Sequence, residues 1–204
     1  MAAATDTAEK IVTAAAQLIA ERGYAATSTR AIAERAGVNE VTLFRHFGNK
    51  LGVLRALGER YAATSATRAL RKLPDPADAR ATLRAIAHGE IADSVENGGV
   101  ALRLAFDAPS VPELRELMGE GPGETFKQLS GYMAEQQAAG RIRGDIPPMV
   151  LAEAFSALTS SYVMYRMVMG VIDGPAGSVD DETVDQLFDV FWSGARGREE
   201  TCDD

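Results

Sequence analysis

The chain has 204 residues, 46% of them apolar, which supports a packed core and excludes global disorder. Its single cysteine, Cys202, excludes a disulfide framework and a cysteine metal cluster, and no run approaches the roughly 18 apolar residues of a membrane span. The net charge of −8 argues against a general nucleic-acid binder, but it is unevenly spread. Residues 1–60 carry eight Lys and Arg against six Asp and Glu, and the remainder thirteen against twenty-three, so a mildly basic start on an acidic remainder suits local phosphate contact.

Met1–Lys10 lacks the basic-then-apolar pattern of a signal peptide, so a cytoplasmic protein is expected. Asp6 and Glu9 form a capping-box pattern ahead of Ile11, Ala14, Ala15, Leu18 and Ile19, which share one helical face, and Gly23 stops that helix. A second helix starts near Thr27-Ser28, turns Ile32, Ala33 and Ala36 inward and ends at Gly37. Asn39 caps a third over 40–47, closed by Gly48, and Asn49 opens a fourth with Leu54, Leu57 and Tyr61 at helical spacing.

Leu73-Pro74-Asp75-Pro76 is a break. A fifth helix follows over 77–97, then a short one over 100–107 between Gly98-Gly99 and Pro109. Another short helix, 113–118, is expected to stop at the Gly-rich run 119–123, with a separate helix over 124–139. Pro147-Pro148 starts a long apolar helix to about Met169, and the last runs over 179–193. No strand pattern and no fixed-period repeat is visible, so an all-α fold of about nine helices is expected.

The segment Thr27–Lys50 carries the chemistry. Two short helices crossing steeply need a tight turn, which Gly37 supplies, and a small side chain at the crossing, which Ala33 supplies. Ile32, Val38, Leu43 and Phe47 provide the shared core. Asn39, Glu40, Thr42, Arg45 and His46 are left polar and can face a groove, because the DNA major groove admits one α-helix. Thr27, Ser28 and Arg30 at the start of the second helix and Lys50 at the start of the fourth can reach phosphates on either flank. Thr27 can equally be an N-cap, Arg35 a solvated helix face, and His46 a phosphate donor or a structural side chain.

This stretch resembles the DNA-binding domain of the TetR/AcrR family of regulators from about Ile11 to Leu57. The resemblance lies in Ile-Ala-x-x-Ala-Gly-Val (Ile32 to Val38), Thr42-Leu43-Phe44 and His46-Phe47-x-x-Lys50. It implies that the third helix reads bases and that Thr27 and Lys50 touch phosphates. Phe44 stands where the family usually has tyrosine, which removes a phenol–phosphate hydrogen bond, and Val41 stands where a small residue is usual. The resemblance also implies a helix-turn-helix domain over 1–48 and a larger helical ligand-binding and dimerisation domain over 49–204, with a helix over 49–72 connecting them. The implied partners are a palindromic operator in duplex DNA, a second copy of the chain and a small, largely apolar effector.

In the C-terminal part, Leu151, Phe155, Leu158, Tyr162, Tyr165 and Met169 form one stripe of the long helix, and Ala154, Ala157, Ser161 and Met164 another. The second stripe, with Val184, Leu187, Phe188 and Phe191 of the last helix, is the expected dimer interface. Leu102, Phe106, Phe126, Met133, Tyr162, Tyr165 and Met169 are candidates to line an effector pocket, each more readily read as plain core or interface packing. Arg166 is expected to pair with Asp185 or Asp189, and His88 has no Cys or His near it in sequence. No glycine-rich phosphate loop, G-x-S-x-G elbow or metal-ligand cluster is present, so neither an enzyme nor a bound cofactor is expected.

Overall fold

In the computed structural model the described residues are 2–62, 78–172 and 179–197. They are mainly helical, with one isolated antiparallel bridge, Ile142 to Arg196. Helix α1 spans Ala2–Arg22, α2 Thr29–Ala36, α3 Glu40–Phe47 and α4 Lys50–Ala62. Their boundaries follow local chemistry. Ser28 Oγ accepts the Ala31 N–H to start α2, Asn39 Oδ1 accepts the Val41 N–H to start α3, and Gly37 ends α2 at φ +68°. Asn49 caps α4 through the Gly52 N–H. The core they enclose is Ile11, Ala14, Ala15, Leu18, Ile32, Ala33, Leu43 and Val53. Leu43 is fully buried there, which alone stabilises by roughly 1.5–3 kcal/mol. The connecting helix is described as far as Ala62; residues 63–72, the Leu73–Pro76 break and Cys202 lie outside the described residues.

The remaining helices are α5 (Ala79–Glu96), α6 (Val100–Asp107), α7 (Pro112–Ala138), α8 (Pro148–Val163) and α9 (Asp181–Ala195), with a 3₁₀ turn over Ala108–Ser110. Leu83, Ile86, Leu129, Met133, Leu151, Phe155 and Phe188 centre the larger core, and Ile91, Tyr162, Val163 and Val184 form a smaller one. A third cluster joins the two halves of the chain. It places Val12, Ile19 and Tyr24 against Leu54 and Leu57 of α4, Val100 of α6 and Leu114 of α7.

Three expectations change. Helix α1 begins at Ala2, so Asp6 lies within it, bonded to Lys10 at 2.5 Å, and does not cap it. The break at 119–123 does not occur: α7 is continuous over 27 residues. Leu114 is buried in the joint cluster and Leu129 and Met133 in the main core, so both ends of the helix are held by tertiary packing that overrides the local breakers. The long apolar helix ends its α-helical course at Val163 and widens into a π-helical turn over Met164–Val168. That turn takes an extra residue, so side chains beyond it leave the stripe that precedes it.

Candidate nucleic-acid interface

The outer side of α3 is built by elimination. Leu43 faces the core, and the residues on either side of it then face away. Val41 is 72% exposed and Phe44 44% exposed, and Arg45 is exposed beside them. Thr42 and His46 are half-buried, and the His46 ring leans on Phe47 at a centroid distance of 6.0 Å. Among the described residues Arg45 makes no ion pair, so its guanidinium keeps all five donors available. Glu40 is held from the side: its carboxylate accepts a 2.6 Å hydrogen bond from Thr29 Oγ1, which ties the first turn of α3 to the first turn of α2. A short helix thus presents two apolar side chains and one cation to solvent, a composition suited to thymine methyls and guanine edges.

The flanks are more committed than the sequence suggests. Thr27 is 1% exposed, with its hydroxyl donated to the Gly23 carbonyl at 2.8 Å and its N–H to the Tyr24 carbonyl at 3.0 Å. It is therefore neither the N-cap, which is Ser28, nor accessible to phosphate in this conformation. Arg30 is exposed but paired with Glu34 along α2 at 2.8 Å. Arg35, read as a solvated face, makes a two-pronged ion pair with Glu21 of α1 at 2.8 and 3.0 Å. Lys50 is half-buried. Its ammonium donates to the Tyr24 carbonyl at 2.5 Å and lies 3.8 Å from the centre of the Tyr24 ring. Burial pushes its pKa below the usual lysine range, opposed by the nearby Asp107 carboxylate.

That carboxylate is the contact that sequence reasoning missed. Asp107, the last residue of α6, accepts the Tyr24 N–H at 2.5 Å and the Ala25 N–H at 3.3 Å. Tyr24 is thus gripped on both backbone groups, by Lys50 on the carbonyl and by Asp107 on the amide. Nothing in the sequence pattern relates residues this far apart.

The C-terminal candidates separate. Phe126 and Met133 belong to the main core, and Leu102 and Tyr162 to the smaller cluster. Phe106, Tyr165 and Met169 are 56%, 44% and 55% exposed, so the seven residues do not line one interior space. For Tyr165 and Met169 the reason is the π turn. Of the expected interface, Ala154 and Ala157 are exposed and Ser161 half-buried on α8, and Met164 is half-buried at the start of the π turn. Val184 and Phe188 are fully buried within the single chain, and Leu187 and Phe191 pack against the same cores. The stripe of α9 is buried by α5 and α8 and leaves only Val190, 75% exposed, as a large apolar side chain outside.

Arg166 likewise does not meet Asp185 or Asp189. It lies over the Tyr162 ring, 5.0 Å from its centre, near Asp180. The two acids instead pair across to α5: Arg80 reaches Asp189 at 2.8 Å, Arg84 grips Asp185 with two nitrogens, and His88 lies between Asp185 at 2.6 Å and Asp181 at 3.1 Å. Among the described residues no His, Cys, Asp and Glu grouping suits a metal ion, and no helix is long and apolar enough to cross a membrane.

Comparison with known proteins agrees with this architecture. Residues 11–57 match the sequence model of bacterial regulatory proteins of the tetR family, and residues 81–193 that of the AefR-like transcriptional repressor C-terminal domain. The transcriptional activator FasR of Mycolicibacterium smegmatis is 31% identical over 104 residues, 51% of this chain and 47% of that protein. The transcriptional repressor Rv3405c of Mycobacterium tuberculosis is 40% identical over 112 residues, 53% of this chain and 57% of that one. Across the curated relatives it matches, the chain spans between 27% and 57% of their length. The crystal structure of AibR with isovaleryl coenzyme A and operator DNA superposes with a TM-score of 0.68 at 22% identity, covering 90% of this chain and 97% of AibR, which is a likeness of fold. With one sequence model on residues 11–57 and another spanning the larger part of the chain, the protein belongs to the TetR family of helix-turn-helix transcriptional regulators.

Proposed function

We propose that this regulator is a homodimeric repressor that leaves a palindromic operator when a small, largely apolar ligand binds its C-terminal helices. The division at residue 48 and the reading role of α3 belong to that proposal. The observation that carries it is the outward face of α3, where Val41, Phe44 and Arg45 stand exposed on a helix held rigidly by Leu43 from behind. Ser28, Arg30, Asn39, Thr42, His46 and Lys50 flank that face, and Lys50 keeps at least one ammonium N–H beyond those turned to Tyr24. Val41 suits a thymine methyl, and Phe44 packs against the backbone sugar where a phenol would donate to phosphate. The structure of a fold neighbour, AibR, holds operator DNA and isovaleryl coenzyme A, which supports an operator and an effector as the two partners here, though not the apolar character of the effector. A related activator and a related repressor both exist, so the sign of regulation is the finer half of the proposal.

The test is binding to duplexes selected by the protein from a random library. Arg45→Ala is expected to lose about 1–3 kcal/mol of discrimination between selected and random duplexes. Lys50→Ala is expected to weaken both equally and lower the salt slope by about one. Equal loss on both duplexes in Arg45→Ala would remove it from base reading.

A further inference from the structure

We infer that Asp107 is the positioning residue through which the C-terminal helices set the attitude of the reading head, an inference that rests on the operator-binding proposal above. Helix α6 is a strut only eight residues long, held at its start against α1 and at its end against the turn that follows α1. At its start, Gly98 has φ +63° and lies so close to α1 that a Cβ there would sit 3.1 Å from the Ala20 Cβ. Its neighbour Gly99, at φ +68°, meets the π-helical turn: a Cβ there would come within 3.0 Å of Val168. At its end, the Asp107 carboxylate takes the Tyr24 and Ala25 amides. Gly23 is the residue that lets it in. Its φ of +80° turns the chain there, and a Cβ would lie 3.0 Å from Asp107 Oδ2.

The Tyr24 amide has no helical partner to fall back on, because α1 has ended. Those two amides are orphan donors at the turn, and an ionised acceptor is their strongest available partner. Tyr24 is also the residue Lys50 holds, and Lys50 opens α4 directly behind α3. The path is therefore physical and short. The π turn bears on Gly99, α6 carries the displacement to Asp107, Asp107 holds the α1–α2 turn, and that turn fixes α2 and, through Thr29 and Glu40, α3. In a two-fold dimer a tilt of the head changes the distance between reading helices, which must stay near one helical turn of DNA.

The experiment compares wild type, Asp107→Ala and Asp107→Asn as full chains, by two measurements. Amide hydrogen exchange needs no DNA. Exchange at Tyr24 and Ala25 is expected to quicken about tenfold or more in Asp107→Ala, and less in Asp107→Asn, whose side-chain oxygen still accepts. The second measurement uses wild-type-selected duplexes whose half-sites are moved apart or together by one or two base pairs. The wild type is expected to prefer one spacing by about tenfold or more, and Asp107→Ala to bind all spacings within about threefold while its binding to random duplex at low salt is kept. Loss of packing alone would weaken every spacing together and leave their ranking intact. An Asp107→Ala chain that keeps the wild-type spacing ranking, or the wild-type exchange at Tyr24, overturns the inference. A wild type with no preference among spacings overturns the operator-binding proposal instead.

Discussion

Helices α3 and α9 are both short and amphipathic, yet only one of them faces where its sequence says. In α3 the buried residue is Leu43, and the surface that buries it comes from α1 and α2, its immediate predecessors. In α9 the buried residues are Val184 and Phe188, and the surfaces that bury them come from α5 and α8, with α5 about a hundred residues earlier. An apolar stripe states that a helix face is covered but not by what. Where the cover is the next helix along, periodicity and caps suffice. Where it is a distant helix, a partner subunit explains the same stripe equally well, and the sequence cannot choose.

The largest effect that would break this comparison is at Phe188. Asp in its place puts a carboxylate in a fully buried, ring-lined site, where Phe188 stacks near Phe191 and Trp192. The expected outcome is loss of the fold, by about 4 kcal/mol or more, seen as a collapsed thermal transition in circular dichroism. A folded monomer by light scattering would return Phe188 to the subunit interface. The counterpart on α8 is Ala157→Glu. Ala157 is exposed in the single chain, so the unfolding free energy of the monomer is expected to move by less than about 0.5 kcal/mol while the proposed dimer dissociates. A dimer of unchanged mass would take this face of α8 out of the interface.

The same contrast sets how much was legible beforehand. The all-α fold, the Asn39 cap, the Gly37 turn and the core of α1 to α4 all follow from residues within a few positions of one another. Thr27 was misplaced by one residue: the hydroxyl that looked free for phosphate turns back on Gly23, and its neighbour Ser28 does the capping. The continuity of α7 could not be read because Gly and Pro speak only for local preference, while Leu114 and Met133 supply the opposing burial. Asp107 on Tyr24 carries no sequence signal at all, being one carboxylate among 29 acids. The scattered effector candidates show the limit most clearly, since a stripe of Tyr and Met stays continuous in sequence after a π turn has broken it in space.

The smallest effect belongs to the charged seam between α5 and α9. The Arg84 guanidinium, and after it His88, hold the Asp185 carboxyl below its ordinary value of 3.8. In the unfolded chain that carboxyl takes up its proton near the ordinary value, while in the folded chain it stays ionised to lower pH. Between the two the unfolded state binds more protons, so the stability contributed by Asp185 is complete above the ordinary value and is lost as the pH falls toward the folded one. Asp185→Asn cannot titrate, so its stability is expected to fall less steeply than wild type's below about pH 4, in urea unfolding followed across the acid range. Because the side chain is 33% exposed, added salt is expected to narrow the gap between the two curves. Parallel acid limbs would mean that the seam holds α9 through Val184 and Phe188 alone and that its charges only decorate it.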